Sequence, residues 1–149
     1  MGSTFDENSI FIKVDVETKS ELIRFLSQKM SDISLVSEEY INELLTNRED
    51  QLTTGIGEGI VIPHAFSEKF KGFYIIFGTL KKEIDYHSID KKPVSIFICI
   101  CAHTSENLKY LKIIAKFAEI LHNPTQRKKI IECNSAQEII NILNPLIQS

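Results

Sequence analysis

The sequence predicts an α/β fold: a single layered domain over residues 1–149, with a central mixed β-sheet flanked by helices on both faces. Three observations carry this expectation. Two nearly continuous apolar runs, Phe73–Leu80 and Val94–Cys101, are rich in β-branched and aromatic residues, as strands buried on both faces are. Segments with apolar residues at helical spacing lie on either side of those runs. The chain has 149 residues, 43% of them hydrophobic, enough for one domain with a substantial core.

Taken in order, residues 1–8 read as a flexible N-terminal segment, and Ile10–Val14 as a short strand. Thr18-Lys19-Ser20-Glu21 has the spacing of a capping box, and Leu22, Ile23, Leu26 and Met30 follow at helical spacing. Ser37 caps a second helix, with Glu38 and Glu39 well placed in its first turn and an apolar stripe of Tyr40, Ile41, Leu44 and Leu45. After the two apolar runs, Leu108, Leu111, Ile114, Ala115, Ala118 and Leu121 trace one helical face, expected to be the buried one. Asn123-Pro124 is a cap followed by a first-turn proline. Ser135-Ala136-Gln137-Glu138 forms a second capping box, opening a last helix expected to stop near Pro145.

Composition narrows the function. Lys and Arg total 17 against 20 Asp and Glu, a net charge of -3, which argues against nucleic acid as a partner. The longest apolar runs are too short to span a bilayer, and MGSTFDENS lacks the order of a secretory signal. Three cysteines without framework spacing read as reduced thiols, so a soluble, cytoplasmic protein is expected. Cys99, Cys101 and His103 share one strand face at period two. Without a second ligand pair they read as small buried residues and a loop histidine, and no metal or cofactor is expected. The run Arg127-Lys128-Lys129 reads as a solvated helix face.

The chemistry concentrates between Arg48 and Ala65. Ile60-Val61-Ile62 is a short extended run that Pro63 should end, because proline cannot donate to a ladder. His64 then projects from a strand end. Gly55, Gly57 and Gly59 let backbone amides approach a ligand closely. Thr53 and Thr54 add hydroxyl donors, and Arg48 adds a bidentate cation suited to phosphate oxygens. An imidazole among such groups suits phosphoryl acceptance, where positioning and charge stabilisation do most of the work. The same residues are compatible with a structural histidine beside tight turns, and the glycine pattern is not that of a nucleotide loop.

The string Arg48-Glu49 … Leu52-Thr53 … Gly57-Glu58-Gly59-Ile60-Val61-Ile62-Pro63-His64 resembles the active-site signature of the fructose/mannitol-type (type 2) enzyme IIA domains of the phosphoenolpyruvate-dependent sugar phosphotransferase system, a family that includes nitrogen-type relatives. Ile89-Asp90-Lys91-Lys92-Pro93-Val94 and Ser105-Glu106-Asn107-Leu108 are similar to that family's next two landmarks, so the resemblance covers effectively the whole chain. It implies that His64 becomes phosphorylated, by the family's habit on Nε2, with HPr as donor and an enzyme IIB protein as acceptor. The membrane would be reached only indirectly, through a transporter complex. Arg48 matches the arginine that steadies the phosphoryl group, and Glu58 the glutamate beside the glycines. Asn107 stands where many members have a second histidine; an amide can donate a hydrogen bond but cannot carry a charge or shuttle a proton. Two other readings stay open within that resemblance: a nitrogen-type regulator, and a binding module whose phosphorylation has degenerated.

Overall fold

The computed structural model describes residues 6–51 and 55–148. Its elements, in chain order, are β1 (Ile10–Val14), α1 (Lys19–Ser34), α2 (Glu38–Gln51), β2 (Gly55–Gly57), β3 (Ile60–Val61), β4 (His64–Phe66), β5 (Phe73–Ile84), β6 (Val94–Ala102), α3 (Asn107–Leu121), α4 (Pro124–Glu132) and α5 (Ala136–Gln148). The sheet runs β1-β5-β6-β3-β2, with β4 also paired to β6. β5 and β6 are antiparallel. β1 is parallel to β5, and β3 and β4 are parallel to β6. The predicted mixed sheet is therefore present, with the two apolar runs at its centre.

The two faces of that sheet build two cores. Leu22, Leu26, Met30, Ile41 and Leu45 of α1 and α2 pack on Val61, Ile76, Phe97, Cys99 and Cys101. Ile113, Phe117, Ile120, Ile130, Ile139 and Leu143 of α3 to α5 pack on Ile60, Ile62, Phe77, Ile98 and Ile100. Alternate residues of β6 thus point to opposite layers, the period-two geometry of a strand. Gly78 lies where β1 crosses closest: a Cβ there would sit 2.2 Å from the Phe11 carbonyl and 2.4 Å from the Phe97 ring.

The caps form as expected, with one refinement. Thr18 Oγ1 accepts from the Glu21 amide at 3.1 Å, and Ser135 Oγ from the Glu138 amide at 3.2 Å. Each glutamate then reaches one residue further back than the reciprocal box, to the amides of Glu17 and Asn134. Asn123 Oδ1 caps α4 through the Thr125 amide at 2.8 Å.

Two helix expectations are corrected. Leu108 and Leu111 are exposed, at 74% and 52%, as are Ala115 and Ala118; of the expected face Leu121 is buried, and α3 otherwise buries Ile113, Phe117 and Ile120. Its apolar residues form two stripes, and the β-branched and aromatic one fills the space over the sheet. The last helix also continues through Pro145 to Gln148. Proline there costs only one amide of the final turn, and burying Ile147 favours completing that turn.

Candidate functional site

His64 opens β4, opposite Ile100 of the central strand β6. Pro63 separates β3 from β4, and its carbonyl still accepts from the Ile100 amide at 3.0 Å, so a residue without a donor costs the ladder nothing here. The His64 ring is half-buried. Its Nδ1 lies 2.7 Å from the Ile62 carbonyl oxygen. A carbonyl only accepts, so Nδ1 carries the hydrogen and Nε2 keeps the lone pair. In the neutral ring this selects the tautomer with the hydrogen on Nδ1 and the lone pair on Nε2, the nucleophilic nitrogen.

Electrostatics reinforce that state. Burial pushes the His64 pKa below its ordinary value of 6.5; the hydrogen bond to Ile62 opposes this, Arg48 adds to the lowering and Glu49 works against it. A cation and a desolvated ring together favour a neutral nucleophile at neutral pH. Arg48, in the last turn of α2, lines the same surface hollow as His64, with Leu44, Asn47, Gln51, Ala65 and Phe66. Two amides, a guanidinium and an imidazole thus share one opening.

Two aromatic rings hold the imidazole plane. Tyr110 of α3 lies 5.0 Å from the His64 ring centroid, and Phe66 lies 6.3 Å from it. Phe66 meets Tyr110 edge-on at 5.2 Å. Sequence reasoning missed Tyr110; its place one helical turn after Asn107 was the available signal. It also missed the anchor of Arg48. The neighbouring Glu49 is buried, accepts from the Tyr86 hydroxyl at 3.0 Å and pairs with Lys19 at 3.2 Å. A buried carboxylate satisfied on both sides fixes the end of α2 from which Arg48 projects.

The glycines and Glu58 lie elsewhere. β2 and β3 form a hairpin in which Gly55 faces Val61, so its open end leads toward His64 and its turn points away. Gly57, Glu58 and Gly59 all have positive φ, +98°, +59° and +76°. The Gly59 carbonyl accepts from the amides of Ser95 and Ile96. His64 pairs four residues further along the same strand, roughly 13 Å away at about 3.3 Å per residue. The Glu58 carboxylate meets Arg127 at 3.1 Å, and Arg127 also donates to the carbonyls of Leu121 and His122 at 2.7 and 3.1 Å. Arg127 is thus a largely buried brace rather than part of a solvated face. Asp90 holds the turn from the other side, accepting from the amides of Glu58 and Lys92 at 3.1 and 3.0 Å. Both hydrogen bonds, that to Lys92 foremost, hold its carboxyl below the usual range.

The remaining candidates are placed as follows. Thr53 and Thr54 lie outside the described residues, and of Gly55 only the backbone is described. Asn107 begins α3, exposed, one turn before Tyr110. His103 caps the short turn ahead of α3, its Nδ1 accepting from the Ser105 amide at 3.1 Å. Cys99 and Cys101 are buried, and the side-chain hydrogen bond with Cys99, together with burial, raises the Cys101 thiol pKa well above its usual value. None of the helices among the described residues is long and apolar enough to cross a membrane.

A sheet-edge imidazole whose Nε2 has no hydrogen-bond partner among the described residues, an arginine in the same hollow and an α/β frame define a candidate phosphoryl-acceptor site. The family model described as "Phosphoenolpyruvate-dependent sugar phosphotransferase system, EIIA 2" matches residues 3–145, and the chain belongs to that family. It is 33% identical to the PTS system fructose-specific EIIABC component of Bacillus subtilis over 141 residues, covering 89% of this chain but only 21% of that protein. It is 28% identical to a nitrogen regulatory protein of Bradyrhizobium diazoefficiens, covering 91% of this chain and 88% of that one. In fold it is similar to nitrogen regulatory protein IIA-Ntr from Neisseria meningitidis, with a TM-score of 0.89 at 24% identity over 95% of this chain and 97% of that one. The Escherichia coli enzyme IIA in complex with phosphorylated enzyme IIB for mannitol aligns with a TM-score of 0.81 at 20% identity, covering 93% and 96%.

Proposed function

We propose that this chain is a phosphocarrier of the sugar phosphotransferase system: His64 takes a phosphoryl group from an HPr-like phosphohistidine protein and passes it to an enzyme IIB in sugar uptake. The observation that carries the reading is the 2.7 Å contact of Nδ1 with the Ile62 carbonyl, which leaves the electron pair to Nε2 on a ring that lines the same hollow as Arg48. In the transfer, that pair forms the new N–P bond. The donor's N–P bond breaks and its imidazole leaves with the bonding electrons. Each ring keeps the proton on its other nitrogen, so no general base is required. Arg48 offsets charge on the phosphoryl oxygens throughout.

The surroundings suit a protein partner. Leu108 and Leu111, one residue either side of the Lys109–Tyr110 pair, leave an exposed apolar stripe beside the aromatic rings at His64. Lys109 and Lys112 are exposed on the same helix. An acidic or apolar rim on a phosphocarrier that must bring its own reactive group to His64 fits that stripe.

Incubation with phosphoenolpyruvate, enzyme I and HPr should yield an acid-labile, alkali-stable phosphate adduct, absent from His64→Ala. No adduct from any phosphohistidine donor would overturn the proposal. The match covering 88% of a nitrogen regulatory protein supports a second reading, in which the same phosphorylated histidine governs binding to target proteins. Discharge of the adduct by an enzyme IIB favours sugar uptake; an adduct that no enzyme IIB discharges favours regulation.

A further inference from the structure

We infer that Tyr110 is a catalytic residue of this phosphoryl transfer, its ring fixing the plane of the His64 imidazole and its hydroxyl donating a hydrogen bond to the phosphoryl group in flight. The inference rests on His64 being the acceptor, and it adds a group that approaches from the layer opposite Arg48. α2 brings Arg48 from one face of the sheet, and α3 brings Tyr110 from the other. His64 sits between them on a three-residue strand.

The geometry goes beyond packing. The imidazole is tied at one end, by Nδ1 to Ile62, which leaves rotation about that tether as the freedom to be restrained. Tyr110 restrains it at 5.0 Å with an interplanar angle of 40°, and Phe66 braces Tyr110 from the side at 5.2 Å. A ring pinned at Nδ1 and covered on one face presents Nε2 in one direction, and fixed direction is the main requirement of phosphoryl transfer. A phenylalanine would supply that much; the phenol adds a donor. The positive charge of Arg48 reaches the Tyr110 hydroxyl, while burial holds the phenol protonated above its ordinary pKa of 10.0. The phenol therefore remains a donor across the physiological range, within electrostatic reach of the cation that would hold the same oxygens. Asn107, one turn earlier on α3, is exposed; the half-buried donor on that helix beside His64 is Tyr110.

The test is single-turnover transfer from phospho-HPr to the full chain, with Tyr110→Phe as the variant. Phe keeps the ring contacts and removes only the hydroxyl, and thermal melting verifies that the fold is retained. We expect the plateau rate to fall about 10-fold, somewhat less than the loss of a lone transition-state donor because Arg48 shares the charge. The HPr concentration giving half the plateau should stay unchanged. Tyr110→Leu, which also uncovers the ring, should fall further. An unaltered plateau in Tyr110→Phe overturns the inference while leaving His64 as acceptor. So does a change confined to the half-saturating concentration, which would make Tyr110 a docking residue. A wild-type protein that accepts no phosphoryl group overturns both.

Discussion

The two ends of the hairpin formed by β2 and β3 make an instructive contrast. They belong to one continuous sequence motif, yet they serve different tasks. At the open end, His64 has one nitrogen committed to a carbonyl and the other available, with Arg48 and Tyr110 beside it. At the turn, the Glu58 carboxylate is engaged by Arg127, the Glu58 amide by Asp90, and the Gly59 carbonyl by β6. A group that performs chemistry needs an uncommitted electron pair or donor toward the opening, and a group that fixes a turn needs its hydrogen-bonding capacity engaged. The expected glycine-lined cradle around His64 is therefore not where Gly57 and Gly59 lie.

This contrast is broken or sharpened most strongly by Arg48→Ala. If the open end is the reactive one, loss of the guanidinium should slow phosphoryl acceptance about 100-fold, the scale of losing one charge-stabilising donor. It should also move the acid limb of the pH profile. The His64 pKa is held below 6.5 partly by Arg48. The wild-type rate should thus stay level at neutral pH and decline only at a midpoint below 6.5, as protonation removes the Nε2 lone pair. In Arg48→Ala that midpoint should rise toward 6.5. The linked effect on stability has the same sign. With the folded pKa lowered, the unfolded chain binds the extra proton first, so stability is full above 6.5 and falls as pH drops toward the folded value. A rate unchanged in Arg48→Ala would place the reactive end elsewhere.

The turn should respond in stability rather than in rate. Gly57→Ala puts a Cβ 3.2 Å from Asp90 Oδ2 on a backbone with φ of +98°, at a cost of about 1–2 kcal/mol. For a chain of this length the melting temperature should fall by roughly 3–6 °C. Transfer per folded molecule should stay within about twofold. A loss of transfer matching that of Arg48→Ala, without a change in melting, would return the glycines to the site.

How much of this was legible in the sequence follows from the range of the interactions. The sheet and most helices were, because strand burial and caps are written in neighbouring residues: the Phe73–Leu80 and Val94–Cys101 runs, Thr18, Ser37 and Asn123. The buried face of α3 was not. Leu108-Lys109-Tyr110-Leu111-Lys112-Ile113-Ile114 is apolar at two angles around the helix, and only the sheet decides that Ile113 and Phe117 go inside. The pairing of Arg48 with His64 was expected from the motif, and the two, 16 positions apart in the sequence, line one hollow. Glu58 was misplaced for the opposite reason. Its neighbours in sequence are glycines that suggest a ligand, whereas its partner, Arg127, is 69 positions away in a run that looked solvated.

That misplacement sets up the smallest expected effect, and the most discriminating. The resemblance carried Glu58 into the site beside Arg48; the geometry gives its carboxylate to Arg127 at the far end of the hairpin. Glu58→Gln keeps the shape and removes the charge. The pair is unevenly exposed, with Glu58 at 59% and Arg127 at 17%, and such pairs contribute under about 1 kcal/mol. Arg127 would retain the carbonyls of Leu121 and His122, so no buried cation is stranded. Melting should shift by about 2 °C or less, and single-turnover transfer from phospho-HPr should match the wild type. A tenfold loss of transfer with melting intact would mean that Glu58 reaches the phosphoryl group through a partner or a rearranged turn, and the division of labour between the two ends would fail.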